Sequence, residues 1–99
     1  MPNEVSFTKL EGTRFPLGRT VITQAALATL AHEDVVAALG RHAAGDWGEL
    51  DEEDRQANEQ ALIEGTRLVS VYRSAADQRF YVITEWDRSI TTVLLPEDY

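Results

Sequence analysis

Apolar residues recur at helical spacing through the first two-thirds of this chain and at strand spacing through the last third. Residues 1–14 show neither period, which predicts a loosely ordered arm or an edge strand ahead of a single domain over residues 15–99. Phe15-Pro16-Leu17-Gly18 predicts a turn, because Pro presets φ and Gly tolerates positive φ. Arg19–Ile22 then predicts a short strand. Thr23 suits a helix N-cap, followed by a helix over Gln24–Ala31 with Leu27, Leu30 and Ala31 on one face. His32-Glu33-Asp34 interrupts the apolar pattern and predicts a corner. A second helix is expected from there to about Ala44, burying Val35, Val36, Leu39 and Ala43, with Gly45 as its αL stop. Asp51 predicts the cap of a third helix ending at Glu64, with Gly65 terminating it. The apolar stripe of that helix is thin: Ala57, Ala61 and Leu62. Asn58 lies on the stripe, and a buried Asn needs hydrogen bonds. The expected partner is the Gly45–Gly48 loop.

Three strands follow, over Thr66–Arg73, Arg79–Trp86 and Ile90–Leu95. Ser74–Gln78 is the first connection, Asp87-Arg88-Ser89 the second, and Pro96 the stop. The expected fold is α+β, in the order β-α-α-α-β-β-β, with an antiparallel sheet packed against three helices. The alternation is not one-sided. Phe80 and Val82 oppose Tyr81 and Ile83, and Ile90 and Leu94 oppose Val93 and Leu95. Either the helices and the N-terminal arm cover both faces, or one face meets a second copy as a homodimer.

Composition narrows the classes. Ninety-nine residues with 43% apolar content make one globular domain. There is no cysteine, so disulfides and thiolate metal sites are excluded. No stretch has the pattern of a signal peptide or a membrane span, and the expected compartment is the cytoplasm. The net charge is −8, which opposes direct contact with nucleic acid or anionic lipid. Almost all of it lies in Gly45–Glu64, where eight carboxylates face one base, Arg55.

Candidate chemistry is sparse. His32 and His42 stand ten residues apart, too far for a one-turn metal pair. His32 is read as a corner or capping residue. His42 is placed near a helix C-terminus, where a partly protonated imidazole would complement the dipole. Asp51–Asp54 is rich in carboxylates but lacks a calcium-loop pattern. No cofactor and no metal is expected. The polar cluster Thr84, Glu85, Asp87, Arg88, Ser89 and Thr91 holds two carboxylates that acid–base catalysis could use, although Asp87-Arg88-Ser89 more simply makes a structured turn. Trp47, between two glycines, is either a lid on the core or an exposed interface anchor. The candidate partner-binding set is Trp47, Glu49, Asp51, Glu52, Glu53, Asp54 and Glu59.

GDWGELDEED with Asn58, then Gly65, SVYRS and ITEWDRSITTVLLPEDY, resembles a family of small proteins carried on plasmids and integrative elements of proteobacteria. The resemblance spans Phe15 to Tyr99 and implies a genetic context with no established activity. Together with the clustered charge, it leads to the expectation of a non-enzymatic acidic interaction module. Such a module would inhibit a nucleic-acid-binding host defence complex, of the CRISPR or restriction type, by acidic mimicry. Its partner would present a basic protein surface. The alternatives are a dimeric regulatory or antitoxin-like protein, and an enzyme using the Glu85–Thr91 cluster.

Overall fold

The computed structural model describes residues 3–4 and 12–99, the first two by their backbone alone. Strand β1 (Asn3–Glu4) precedes β2 (Arg19–Ile22). Then come α1 (Gln24–Thr29), α2 (His32–Ala43), α3 (Glu52–Glu64), β3 (Leu68–Arg73), β4 (Arg79–Thr84), β5 (Ile90–Leu94) and a 3-10 turn at Pro96–Asp98. From Arg19 onward this is the expected α+β order. Most of the arm expected over residues 1–14 lies outside the described residues. Among the described residues, no helix is long and apolar enough to cross a membrane.

The strands form one sheet in the order β1-β2-β5-β4-β3. The expectation of an antiparallel sheet is corrected at one junction: β2 runs parallel to β5, with Thr20 opposite Thr91 and Ile22 opposite Val93. Side-chain alternation reports which face a residue takes, and it carries no information about a neighbour's direction. Parallel neighbours need a long crossover, and three helices and a hairpin separate β2 from β5.

Leu68, Tyr72, Phe80, Val82, Val93 and Ile22 form the sheet side of the core, and Ala26, Val35, Leu39, Ala43 and Ala61 meet them from the helices. Val21, Val71, Ile83 and Leu94 are buried as well. Their alternation with the core residues puts them on the opposite face, which is therefore buried in part as well, while Val69 and Tyr81 on that face stay partly exposed. The corner expected at His32-Glu33-Asp34 falls earlier, at Leu30-Ala31, and those three residues form the first turn of α2. The acidic pair Glu33 and Asp34 suits a helix start electrostatically, which an apolar-periodicity reading does not register. The buried stripe of α2 is Val35, Ala38, Leu39, His42 and Ala43. Thr23 and Asp51 cap α1 and α3 as expected, accepting from the Ala26 and Asp54 amides at 3.2 and 2.8 Å. Gly65 closes α3 at φ +73°.

The outer edge of β3 is sealed, and this seal positions the acidic helix. Asn58 uses its whole amide on one residue: Nδ2 donates to the Val69 carbonyl at 2.8 Å, and Oδ1 accepts from the Val69 N–H at 3.1 Å. The expected tie from Asn58 to the Gly45–Gly48 loop is therefore replaced by a tie to the strand. The loop covers the next position itself. The Val71 N–H donates to the Trp47 carbonyl, and the Glu49 N–H donates to the Val71 carbonyl at 2.7 Å. Such an approach requires Gly48, at φ +77°, because a Cβ there would lie 1.9 Å from the Val71 carbonyl oxygen.

Replacing Asn58 by Ala strands both Val69 groups. We expect a loss of about 2 kcal/mol, read as a lower urea midpoint at unchanged slope. We also expect association that grows with protein concentration, because an open strand edge recruits other chains. Unchanged stability and a monomer at all concentrations would show that the amide does not carry this edge.

Candidate partner-binding surface

The eight carboxylates of Gly45–Glu64 fall into two groups. Three are matched by arginines of the same fold. Asp46 takes the Arg41 guanidinium at 2.7 Å, Glu49 takes Arg73 at 3.1 Å, and Glu59 takes Arg14 at 2.8 Å. The Arg14 hydrogen bond holds the Glu59 carboxyl below its usual range, and the Trp47 indole adds to the effect. Arg41 does the same for Asp46. The other five have no cationic partner among the described residues. Asp51 is occupied as the α3 cap, Glu52 accepts from Gln56 and Glu64 from Gln60. Glu52, Glu53 and Asp54 form the exposed first turn of α3. Arg55, the one base of the run, gives its guanidinium to the Leu50 and Gly48 carbonyls and so fixes the loop.

Trp47 is corrected as an interface residue: it is 4% exposed. Its ring stacks on Phe15 at 6.1 Å and meets His42 edge-on at 5.7 Å. Its Nε1–H donates to Glu59 at 3.0 Å. Burial of so large a ring outweighs display, and the indole N–H finds its partner in a carboxylate thereby withdrawn from the free acidic surface. The side chains of Glu59 and Glu49 stay partly exposed, but each is shared with an arginine of the same chain. Asp51, Glu52, Glu53 and Asp54 remain as the part of the expected set without a cationic partner among the described residues.

Beside that turn lies a trough. One cleft, of about 390 Å³, is lined by Leu50, Asp54, Ala57, Asn58, Ala61, Thr66, Arg67 and Val69. A second, of about 490 Å³, is lined by Glu49, Leu50, Asp51, Asp54, Val69, Val71, Arg79, Tyr81 and Tyr99. Leu50, Asp54 and Val69 line both, so the two clefts are neighbours along β3. Tyr81 and Tyr99 meet edge to face at 5.8 Å, and Tyr99 is 73% exposed. Sequence reading missed these tyrosines. Tyr81 is visible only as an alternating strand residue, and its meeting with Tyr99 depends on the fold.

His42 is fully buried and bonded on both ring nitrogens, at 2.5 Å to Ser70 Oγ and 2.9 Å to Thr84 Oγ1. Thr84 Oγ1 lies 2.6 Å from Thr91 Oγ1, which donates to the Leu17 carbonyl at 2.7 Å. A carbonyl only accepts, which fixes each proton back to His42 Nε2–H, and burial of a neutral ring then makes Nδ1 the acceptor. Thr91 gives its proton to Leu17, Thr84 to Thr91, His42 Nε2–H to Thr84, and Ser70 to His42 Nδ1. The ring is neutral. Burial, with the Arg88 charge adding, pulls its pKa down to about 3, which corrects the partly protonated imidazole expected at the helix end. Desolvation outweighs the dipole. Ser70 and His42 have the contact of a nucleophile and its base, but both are sealed from solvent. His32 is exposed in the first turn of α2.

The Glu85–Thr91 cluster is taken up by the fold. Asp87 accepts from the Ser89 amide and hydroxyl at 3.1 and 2.6 Å. Glu85 pairs with Arg67 at 3.2 Å. Arg88, at φ +61°, donates to the Thr66, Glu85 and Ala61 carbonyls and so caps the end of α3. Among the described residues, no group of three or more His, Asp or Glu is arranged to hold a metal ion. Compared with protein-family models, curated proteins and solved structures, the chain finds no match.

The His42 chain makes stability depend on pH. With a folded pKa of about 3 against an ordinary 6.5, the unfolded chain binds a proton between those values that the folded chain does not. Stability is therefore complete above pH 6.5 and declines as pH falls. Between pH 7 and 5 the decline should be about 2 kcal/mol, with a slope approaching about 1.4 kcal/mol per unit. Urea unfolding across this range, above most carboxylate titration, measures it. His42→Gln should flatten the profile. A flat wild-type profile would contradict a buried neutral His42.

Proposed function

We propose that this chain is a non-enzymatic protein-interaction module that docks a basic surface of a partner through the first turn of α3 and the adjoining trough. The observation that carries the reading is the exposed Glu52-Glu53-Asp54 turn, without a cationic partner among the described residues, on a helix fastened to a sheet. A fixed array of charge attracts an opposite surface without losing much side-chain freedom on docking. The pairing of Glu49 and Glu59 with arginines makes the anionic face smaller than the whole run, so imitation of a long phosphate backbone receives less support than local capture of basic side chains. The resemblance to plasmid-borne proteins, with the anionic face, directs the proposal toward a nucleic-acid-binding host defence complex as partner. A regulatory dimer that pairs β3 edge to edge is less favoured, since that edge is sealed.

The test is retention of a purified CRISPR or restriction complex on the immobilised chain. The expected result is binding that is lost near 1 M salt, where the Debye length is about 3 Å. Binding should also be lost in the triple variant E52Q/E53Q/D54N, which keeps the Asp51 cap. No retention at low salt, or equal retention by the triple variant, would overturn the proposal.

A further inference from the structure

Resting on the interaction-module reading, we propose that the trough beside β3 receives an extended arginine-bearing segment of a partner protein. The arginine side chain would lie against the Tyr81–Tyr99 pair, with its guanidinium directed to Asp54, Asp51 and Glu49. Three features beyond the acidic character point there. The two clefts share Leu50, Asp54 and Val69 and run along one strand, which suits a segment longer than one residue. The Val69 and Val71 backbone groups are already bonded to Asn58, Trp47 and Glu49. An occupant therefore cannot add itself as a further strand and must be held by its side chains. Tyr99, 73% exposed, stands on Tyr81 next to the carboxylates. Aromatic faces beside carboxylates suit a planar guanidinium, which stacks and forms forked hydrogen bonds together, better than a compact lysine ammonium.

The charges within the trough sort its ligands. Glu49, Asp51 and Asp54 disfavour a phosphate, and so a nucleic acid or an anionic membrane. Glu49 is shared with Arg73 and Asp51 is used as a cap, whereas the Asp54 carboxylate has no bond among the described residues. Asp54 is therefore the carboxylate most available to an incoming guanidinium. Arg79 stands in the same cleft with no carboxylate partner among the described residues. It disfavours a second basic residue close by and suits an acidic or neutral neighbour to the arginine.

Octa-arginine and octa-lysine peptides, titrated at low salt and followed by calorimetry and amide NMR, provide the test. Two isosteric variants remove one charge each from the same helix turn: Asp54→Asn within the trough and Glu53→Gln outside it. Octa-arginine should bind more tightly than octa-lysine and perturb Val69, Val71, Tyr81 and Tyr99. D54N should weaken binding about tenfold, the size of one charge-assisted contact, while E53Q changes it less than about twofold. Tyr81→Leu should narrow the preference for arginine. Equal losses in D54N and E53Q would overturn the trough and leave the acidic docking surface standing. Absence of binding by either peptide would remove both readings.

Discussion

Helix α3 has almost no apolar face with which to hold itself to the protein. Of its thirteen residues only Asn58 and Ala61 are buried. Burial of that little area cannot orient a helix, because hydrophobic stabilisation scales with area. Its place is set by hydrogen bonds instead: Asn58 to both backbone groups of Val69, Arg88 to the Ala61 carbonyl, and Glu59 to Trp47 and Arg14. These bonds are directional where hydrophobic contact is not. They fix which side of α3 faces the strand, and therefore which carboxylates face outward. The same contacts saturate the sheet edge and shape the trough beside it.

Buried polar groups set register elsewhere too. The chain from Ser70 through His42, Thr84 and Thr91 to Leu17 crosses β3, α2, β4, β5 and the turn before β2. Each of the four side chains has one donor role and one place to use it, and the Leu17 carbonyl accepts the last proton. A slip of any strand by one residue would turn Ser70, Thr84 or Thr91 to the other face and leave the ring unpaired. The protein thus combines an apolar core with two polar fasteners, one internal through His42 and one at the edge through Asn58.

The parts legible in the sequence are those decided locally. Thr23, Asp51 and Gly65 mark helix ends through the chemistry of their own side chains and backbone, and the strand periods identify β3, β4 and β5. What escaped the sequence depends on residues far apart in it. Arg14 reaches Glu59 across 45 positions, and Arg73 reaches Glu49 across 24, so the division of the carboxylates into matched and unmatched groups has no local signal. Trp47 between glycines reads as either lid or anchor until Phe15 and His42 are placed beside it. His42 was misread because a helix-end dipole is a local effect and desolvation is a global one. Asn58 was legible as a residue in need of partners, but its partner was not.

The claim most of this rests on is that Val69 is held at the sheet edge by a side-chain amide. Hydrogen exchange of the Val69 backbone amide in the intact protein measures it directly. This account predicts protection comparable to that of core strand amides such as Val82, together with slow exchange of the Asn58 side-chain amide. Exchange of Val69 at the rate of an open strand edge would mean that α3 is not fastened as described, and the positions assigned to its carboxylates would no longer hold.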